Sequence, residues 1–235
     1  MLRITLDPGH GASTNASPLD PSFTEGRSNY LFALVLKSEL QKYEDVEVFI
    51  TRNDVKDDPS LEERGKFALE NQSDVFLSIH SNASSDPSAY GVEGYYSVKT
   101  PSARGLLEGL CNAVKMNIPD SKVRRVTTKL SGGEDYYGVL RASSGVKYSM
   151  LIEQGFHTSP RELSYIASER WRINVAALQA RVFSDFFGLK KKEEPKPEEE
   201  PEIPQPSKDR KEALASIVYH AQKIIEITAM LDQPE

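Results

Sequence analysis

Residues 75–83, Val-Phe-Leu-Ser-Ile-His-Ser-Asn-Ala, contain a short apolar run that ends in a histidine and a polar turn. A run of this length without alternation is typical of a β-strand that is covered on both faces, as in a parallel sheet. His80 then lies at the carboxyl end of the strand, the edge at which open α/β sheets bind their ligands. This segment therefore predicts both a buried sheet and the location of its site.

Strand and helix patterns alternate on either side of this run. Strands are predicted at residues 4–6, 46–50, 92–98 and 149–153, and helices at residues 29–43, 61–71, 102–116 and 161–187, the last with a break near Ser168. The first helix is expected to bury one face, formed by Leu31, Leu34, Val35 and Leu40. The alternation predicts an α/β fold, with a mixed, mostly parallel twisted sheet flanked by helices on both faces.

A change of composition divides the chain after this pattern. Residues 190–208 are rich in Lys, Glu and Pro, which predicts an extended linker between a domain of residues 1–189 and a tail of residues 209–235. In the tail, apolar residues recur three or four apart, which predicts a separate short C-terminal amphipathic helix. Such a helix must pack on something. Homo-oligomerisation, which we rank first, docking on residues 1–189 and binding of another partner remain open.

The overall composition excludes several classes of protein. With 38% hydrophobic and 27% charged residues, the chain is typical of a globular protein, and its apolar runs are too short for membrane insertion. A net charge of -6 disfavours nucleic acid as a partner. The single cysteine, Cys111, excludes a disulfide within the chain and a cysteine-based zinc cluster. One basic cluster is interpreted as a solvated loop: Lys122, Arg124, Arg125 and Lys129.

Four ionisable residues are predicted to converge at one edge of the sheet. His10, His80 and Glu153 each follow or end a predicted strand, and Glu25 closes the polar loop of residues 11–24. Two histidines and one carboxylate with an open fourth position form a common zinc site, and a further carboxylate can accept a proton from the attacking water. Because the histidines are not on one helix, their spacing alone favours local hydrogen bonding. Their placement near strand ends makes a metal site an equal alternative.

The motifs of the chain, taken together and in order, resemble those of the zinc-dependent N-acetylmuramoyl-L-alanine amidases, which form the catalytic domains of bacterial autolysins and phage endolysins. The resemblance covers nearly all of residues 2–188. It is carried by Ile4-Thr-Leu-Asp-Pro-Gly-His-Gly11, Glu25 with Asn29, Thr51-Arg52, Leu61-x-x-Arg64-x-x-x-Ala68, Phe76-Leu-Ser-Ile-His-Ser-Asn-Ala83 and Leu151-Ile-Glu-Gln-Gly-Phe156.

The resemblance implies a role for individual residues. His10, Glu25 and His80 match the ligands of one zinc ion per chain, and Glu153 matches the glutamate that acts with the attacking water. Asn82 matches a residue near the substrate, although a turn-forming role is an equal alternative. The implied reaction is hydrolysis of the amide between the lactyl group of N-acetylmuramic acid and the L-alanine of the peptidoglycan stem peptide.

Two segments depart from the family pattern, and one further residue has two interpretations. Residues 12–24 lack the usual Gly-rich, Asp-containing sequence, and His157 stands where the family often has serine. His157 is expected near the site, where it can bind substrate or cap the next helix, and we interpret it as a helix cap or a solvent contact. Asp7 is expected either to accept a hydrogen bond from His10 or to fix the turn that follows the first strand.

Two other functions remain as alternatives. Glu25 and Glu153 can also be a carboxylate pair of a metal-independent glycan hydrolase, and the fold can serve as a non-catalytic wall-binding module. The sequence opens directly on a strand pattern without a secretory signal, from which we expect synthesis in the cytoplasm without a signal peptide. Action on the cell wall after release, as by a phage or prophage endolysin or another lytic enzyme, is the corresponding expectation.

Overall fold

The computed structural model describes residues 1–193 and 208–231 of the 235-residue chain. The chain divides into two units, Met1–Lys192 and Glu193–Glu235. The strands of the first unit are β1 (Leu2–Pro8), β2 (Val46–Ile50), β3 (Val75–Asn82), β4 (Val92–Tyr96), β5 (Val123–Thr127), β6 (Leu130–Ser131), β7 (Glu134–Asp135) and β8 (Tyr148–Phe156). Its helices are α1 (Glu25–Leu40), α2 (Leu61–Glu70), α3 (Ala103–Lys115), α4 (Gly138–Ala142), α5 (Pro160–Ile166) and α6 (Glu169–Phe187).

A six-stranded sheet in the order β2-β1-β3-β8-β4-β5 organises the first unit. The strands β2, β1, β3 and β8 run parallel, whereas β4 is antiparallel to β8 and parallel to β5. A short antiparallel hairpin, β6–β7, lies outside this sheet. The predicted α/β class with a mixed, mostly parallel sheet is therefore confirmed.

Apolar side chains are buried on both faces of the sheet. The larger core contains Val75, Leu77 and Ile79 of β3 together with residues of α1, α3 and α6. The smaller core, on the opposite face, contains Phe76 and residues of α2 and α4. The apolar run of residues 75–79 is thus covered on both faces, as its lack of alternation predicts.

Helix α1 differs from its prediction at its first residue and in its buried face. It begins at Glu25 rather than at residue 29, and Leu34, which was expected in the core, is 41% exposed. Phe32, Ala33 and Leu36 are buried instead. Residues 31–36 are all apolar, so the sequence pattern does not mark one face of the helix.

The interpretation of the basic cluster of residues 122–129 as a solvated loop is wrong, because most of this segment is a β-strand. Arg124 and Arg125 lie in β5, an edge strand that pairs with β4. Val123 and Val126 of the same strand pack against the larger core, which explains why this charged segment forms part of the sheet. Strands β3 and β8 also extend beyond the predicted ends, so that His80 and Glu153 lie within strands rather than at the ends of strands.

The second unit contains helix α7 (Lys208–Leu231), in the region where an amphipathic helix was predicted. Leu214, Ile217 and Val218 are at least half exposed. Residues 194–207 of the predicted linker lie outside the described residues. Lys190 and Lys192, also predicted as linker, belong to the first unit and form backbone hydrogen bonds there with Glu44 and Lys42. None of the described helices is long and apolar enough to cross a membrane.

Candidate metal centre

The turn after β1 brings His10 against His80. His10 has a positive φ of 62°, and the His10 and His80 rings are nearly perpendicular, with centroids 4.9 Å apart. A Cβ atom on Gly9 would lie only 2.1 Å from Cε1 of His80. Glycine is therefore required at position 9, since the imidazole of His80 packs directly against the backbone of the turn.

Glu25, the first residue of α1, lies between the two histidines. Its Oε1 atom accepts a hydrogen bond from the Ser81 backbone N–H at 3.0 Å and lies 3.0 Å from Nδ1 of His80. Its Oε2 atom accepts a hydrogen bond from Nδ2 of Asn15 at 2.8 Å and lies 3.4 Å from Nε2 of His10. A buried carboxylate at this position is further stabilised by the positive end of the helix dipole.

The three side chains form a compact donor set. One candidate ligand atom from each of His10, Glu25 and His80 lies within 4.8 Å of the others. Two imidazole nitrogens and one carboxylate oxygen are the protein ligands of open zinc sites, in which further positions are left for water and substrate. The donors present therefore fit a zinc ion.

The ionisation of the cluster follows from the pairing of its members. Burial alone would raise the pKa of Glu25, but the hydrogen bond and charge of His80 lower it to about 2. Burial alone would lower the pKa of His80, but the hydrogen bond and charge of Glu25 raise it to about 9. Glu25 is therefore ionised at neutral pH and, without a metal, stabilises a protonated His80.

Glu153 lies beside this cluster on the neighbouring strand. In the sheet register it is opposite His80 of β3 and opposite Glu93 of β4, which aligns the three side chains on one face. Its Oε2 atom is buried and has no hydrogen-bond partner in the described part of the chain. Burial raises the pKa of Glu153 to about 7, so the carboxyl group can exchange a proton near neutral pH.

Glu93 is a neighbour of the site that sequence reasoning missed. Its carboxylate accepts hydrogen bonds from Nε of Arg124 at 2.6 Å and from the hydroxyl group of Tyr95 at 2.6 Å. Asn82, predicted near the substrate, donates from Nδ2 to Oε2 of Glu93 at 3.3 Å and accepts from the Ala83 N–H at 2.8 Å. Substrate binding by Asn82 stays a prediction. The only sequence signal for Glu93 is a lone acid within a predicted strand.

Asp7 does not accept a hydrogen bond from the His10 side chain. Its buried carboxylate instead accepts from Nη1 of Arg64 at 2.8 Å, and from the hydroxyl groups of Thr51 and Ser78 at 2.7 Å each. Arg64 also donates to the carbonyl oxygen of Pro8 at 2.8 Å. Asp7 thus acts on the turn after β1 through Arg64, a residue of α2.

The interpretation of His157 as a helix cap or solvent contact is wrong. His157 is buried, and Ser159 occupies the N-cap position of α5. Because β8 continues to Phe156, the pairing with β3 extends to His157, whose N–H donates to the carbonyl oxygen of Asn82. Nδ1 of His157 lies 2.9 Å from Oγ of Ser81. His157 therefore supports Ser81, whose backbone N–H donates to Glu25.

Two contacts fix the position of loop 11–24, whose sequence departs from the family pattern: one is with His157 and the other with the start of α1. Oγ of Ser17 donates to the carbonyl oxygen of His157 at 2.7 Å. At the start of α1, a Cβ atom on Gly26 would lie 1.7 Å from the carbonyl oxygen of Gly11, so the loop and the helix are in direct backbone contact. This loop also supplies Asn15, which sequence reasoning did not identify.

A cluster of two imidazoles and a carboxylate, next to a buried acid at the edge of an α/β sheet, is the type of centre found in metallohydrolases. Residues 4–182 match the Amidase_3 family model, described as N-acetylmuramoyl-L-alanine amidase. The chain therefore belongs to the N-acetylmuramoyl-L-alanine amidase family, and the resemblance of its motifs is confirmed.

Solved structures of amidases are similar to this chain. An N-acetylmuramoyl-L-alanine amidase from Clostridium difficile 630 has a TM-score of 0.70 and 26% identity, over 80% of this chain and 97% of that one. AmiC2 of Nostoc punctiforme has a TM-score of 0.68 and 26% identity, over 80% and 97%. The catalytic domain of the CD27L endolysin, at 16% identity, shares the fold with a TM-score of 0.60, over 79% and 98%. No curated protein sequence matches the chain.

Proposed function

We propose that the protein is a zinc-dependent peptidoglycan amidase that hydrolyses the bond between the lactyl group of N-acetylmuramic acid and the L-alanine of the stem peptide. The observation that carries this proposal is the row of His80 and Glu153 on adjacent strands, with the unpartnered oxygen of Glu153 beside the His10, Glu25 and His80 cluster. Membership of the amidase family supports the choice of bond.

His10, Glu25 and His80 would hold one zinc ion per chain. When bound, zinc lowers the pKa of water and polarises the scissile carbonyl group. The surrounding chain orients the ligands, since Asn15 and Ser81 donate hydrogen bonds to separate oxygens of Glu25. Such hydrogen bonds fix the direction of a ligating carboxylate.

Glu153 acts as the general base and then as the general acid. Its carboxylate accepts a proton from the attacking water and delivers that proton to the departing amine of L-alanine. A pKa near 7 suits both steps, because the group can then gain and lose a proton at neutral pH. The free Oε2 atom leaves one oxygen available for this transfer.

The two alternative functions fit the site less well. A glycan hydrolase that uses a carboxylate pair needs both groups to face the sugar. Both oxygens of Glu25 are engaged with the side chains and backbone of Asn15, His80 and Ser81 instead. A binding module without catalytic activity gives no reason for the buried, unpartnered oxygen of Glu153, since leaving such a group unpaired is costly.

The biological role that we propose is cell-wall lysis, as by a phage or prophage endolysin or an autolysin. The similarity in fold to an endolysin catalytic domain supports this role. Synthesis in the cytoplasm followed by release to the wall remains a prediction, as does self-association through α7. Light scattering tests the latter, since the full chain should have the mass of an oligomer and residues 1–192 that of a monomer.

Mass spectrometry of the products from purified peptidoglycan tests the proposed reaction. The expected products are free stem peptides with a new N-terminal alanine, absent when a zinc chelator is added and restored by zinc. Sugar cleavage that resists the chelator would instead indicate a glycan hydrolase, and intact peptidoglycan in the presence of zinc would indicate a binding module.

A further inference from the structure

Lys129 lies at the base of the β6–β7 hairpin, on the faces of several tyrosine rings. Its Nζ atom is 3.8 Å from the ring centroid of Tyr136, 5.4 Å from that of Tyr137 and 6.0 Å from that of Tyr95. The described part of the chain places no carboxylate within ion-pair distance of this ammonium group. Aromatic faces attract the cation but leave its protons available to an anionic ligand.

The base of this hairpin is rigidly attached to the domain. The carboxylate of Asp135 accepts hydrogen bonds from Oγ of Ser97 at 2.6 Å and from the Val98 N–H at 2.8 Å. Arg141 of α4 donates to the carbonyl oxygens of Asp135 and Tyr136 at 2.6 and 3.0 Å. The aromatic surface under Lys129 is therefore fixed before any ligand binds, which reduces the entropy lost on binding.

Lys129 is also connected to Glu153 through neighbouring side chains of the sheet. Tyr95, one of its three aromatic neighbours, donates to Glu93, and Glu93 is opposite Glu153 in the sheet. The two arginines of β5 differ from Lys129, because both already pair with Glu93, at 2.6 and 3.5 Å.

The substrate of an amidase carries an anion close to the bond that is cleaved. In peptidoglycan the second residue of the stem peptide is a glutamate that is linked through its side-chain carboxyl group, and its α-carboxyl group is either free or amidated. Since consecutive Cα atoms are about 3.8 Å apart, this group lies roughly 7 Å from the scissile amide. A free α-carboxylate is thus an anion near the reacting bond, and a cation on the same side of the site can bind it.

We propose that Lys129 binds the free α-carboxylate of this second stem residue and makes the enzyme selective for non-amidated stem peptides. The inference rests on the proposed function and extends it from the bond that is cleaved to the stem peptide that is preferred. Because Lys129 is exposed, the expected contribution is that of a partly solvated charge pair. Such a pair corresponds to a factor of up to about 5 in kcat/KM.

Two soluble disaccharide-tetrapeptides that differ only in that α-carboxyl group provide the test. The zinc-loaded full chain is expected to cleave the free-acid form about fivefold more efficiently than the amidated form. Lys129→Met should bring this ratio to about one, Lys129→Arg should keep it, and Lys129→Glu should invert it. Binding of both peptides to a Glu153→Gln chain, measured by calorimetry, should show the same preference without turnover.

Lys122 provides a matched control, because its Nζ atom also lies over a tyrosine ring, that of Tyr90, at 4.4 Å. Lys122→Met should leave the ratio unchanged. Equal cleavage of the two peptides by the unmodified chain, or a ratio that survives Lys129→Met, would overturn the inference and leave the proposed function intact. Cleavage of neither peptide would overturn the proposed function and this inference with it.

Discussion

Replacement of Glu153 by glutamine is expected to separate catalysis from metal binding. Glutamine has nearly the same shape as glutamate but cannot accept the proton of the attacking water, so kcat should fall by about 10²- to 10⁴-fold. The proposed zinc ligands His10, Glu25 and His80 are unchanged, so the zinc content should stay at one ion per chain. The substitution thus removes proton transfer by residue 153 and leaves the proposed zinc ligands in place.

The same substitution is expected to stabilise the metal-free protein increasingly as the pH rises above the ordinary pKa of glutamate. Burial raises the pKa of Glu153 from its ordinary 4.5 to about 7, which means that ionising this group costs ~3 kcal/mol more in the folded than in the unfolded chain. Below pH 4.5 the group is protonated in both states and contributes nothing. The cost grows between pH 4.5 and 7, so Glu153→Gln should gain up to ~3 kcal/mol at pH 8 and almost none at pH 4.

Three measurements check this prediction together: turnover of a soluble muropeptide, zinc content by elemental mass spectrometry, and urea unfolding of the metal-free chain at pH 4 and 8. Glu134→Gln is the matched control, because Glu134 is exposed and should leave all three values unchanged. Near-normal turnover of Glu153→Gln would refute the assigned base. A loss of stability at pH 8 would refute the account of its burial.

Three other predictions concern the metal ligands and the backbone that supports them. Zinc binding near pH 7.5 should release about one proton, because the pKa of His80 is about 9 without metal and the ligating imidazole must be neutral. Calorimetry in buffers of different ionisation enthalpy measures the number of protons released. Zinc binding without proton release would contradict the prediction. Gly9→Ala should abolish zinc binding, since its Cβ would lie 2.1 Å from the His80 ring, whereas Gly105→Ala, with 3.6 Å to its nearest atom, should keep the zinc content normal. Equal zinc contents would be evidence against this packing. Asp7→Ala should destabilise the fold by ~3 kcal/mol, because it removes the buried carboxylate partner of Arg64 and leaves that guanidinium an ion pair only with the exposed side chain of Asp58. Glu108→Ala, in an exposed pair, should cost less than ~1 kcal/mol in the same urea unfolding experiment, and similar losses would contradict the argument.

The sheet was predictable because its strands are buried on both faces. The apolar run of residues 75–79 has no alternation, and it forms the centre of a parallel arrangement. In a helix, by contrast, a continuous apolar run does not show which face is buried. Leu34 was wrongly predicted in the core because residues 31–36 are all apolar. The edge strand β5 was missed because its charged residues outweigh the two valines that pack inward.

The convergence of His10, Glu25 and His80 was expected from two strand ends and the polar loop before α1, and their role as zinc ligands only from the family resemblance, whereas their supporting contacts were not predictable. Asn15 reaches Glu25 only through the particular conformation of its loop. Glu93 faces Glu153 only because β4 pairs antiparallel to β8, a register that the sequence does not state. The partner of Asp7 lies 57 residues away on α2, so no local pattern connects the two residues.

The central claim is that one zinc ion, held by His10, Glu25 and His80, is required for amide hydrolysis. Titration of zinc into the metal-free chain, with release of stem peptides bearing N-terminal alanine as the readout, tests it most directly. The account predicts that activity rises in proportion to added zinc and levels off at one ion per chain, and that His80→Ala stays inactive throughout. Full activity without zinc, or an unchanged titration of His80→Ala, would contradict it.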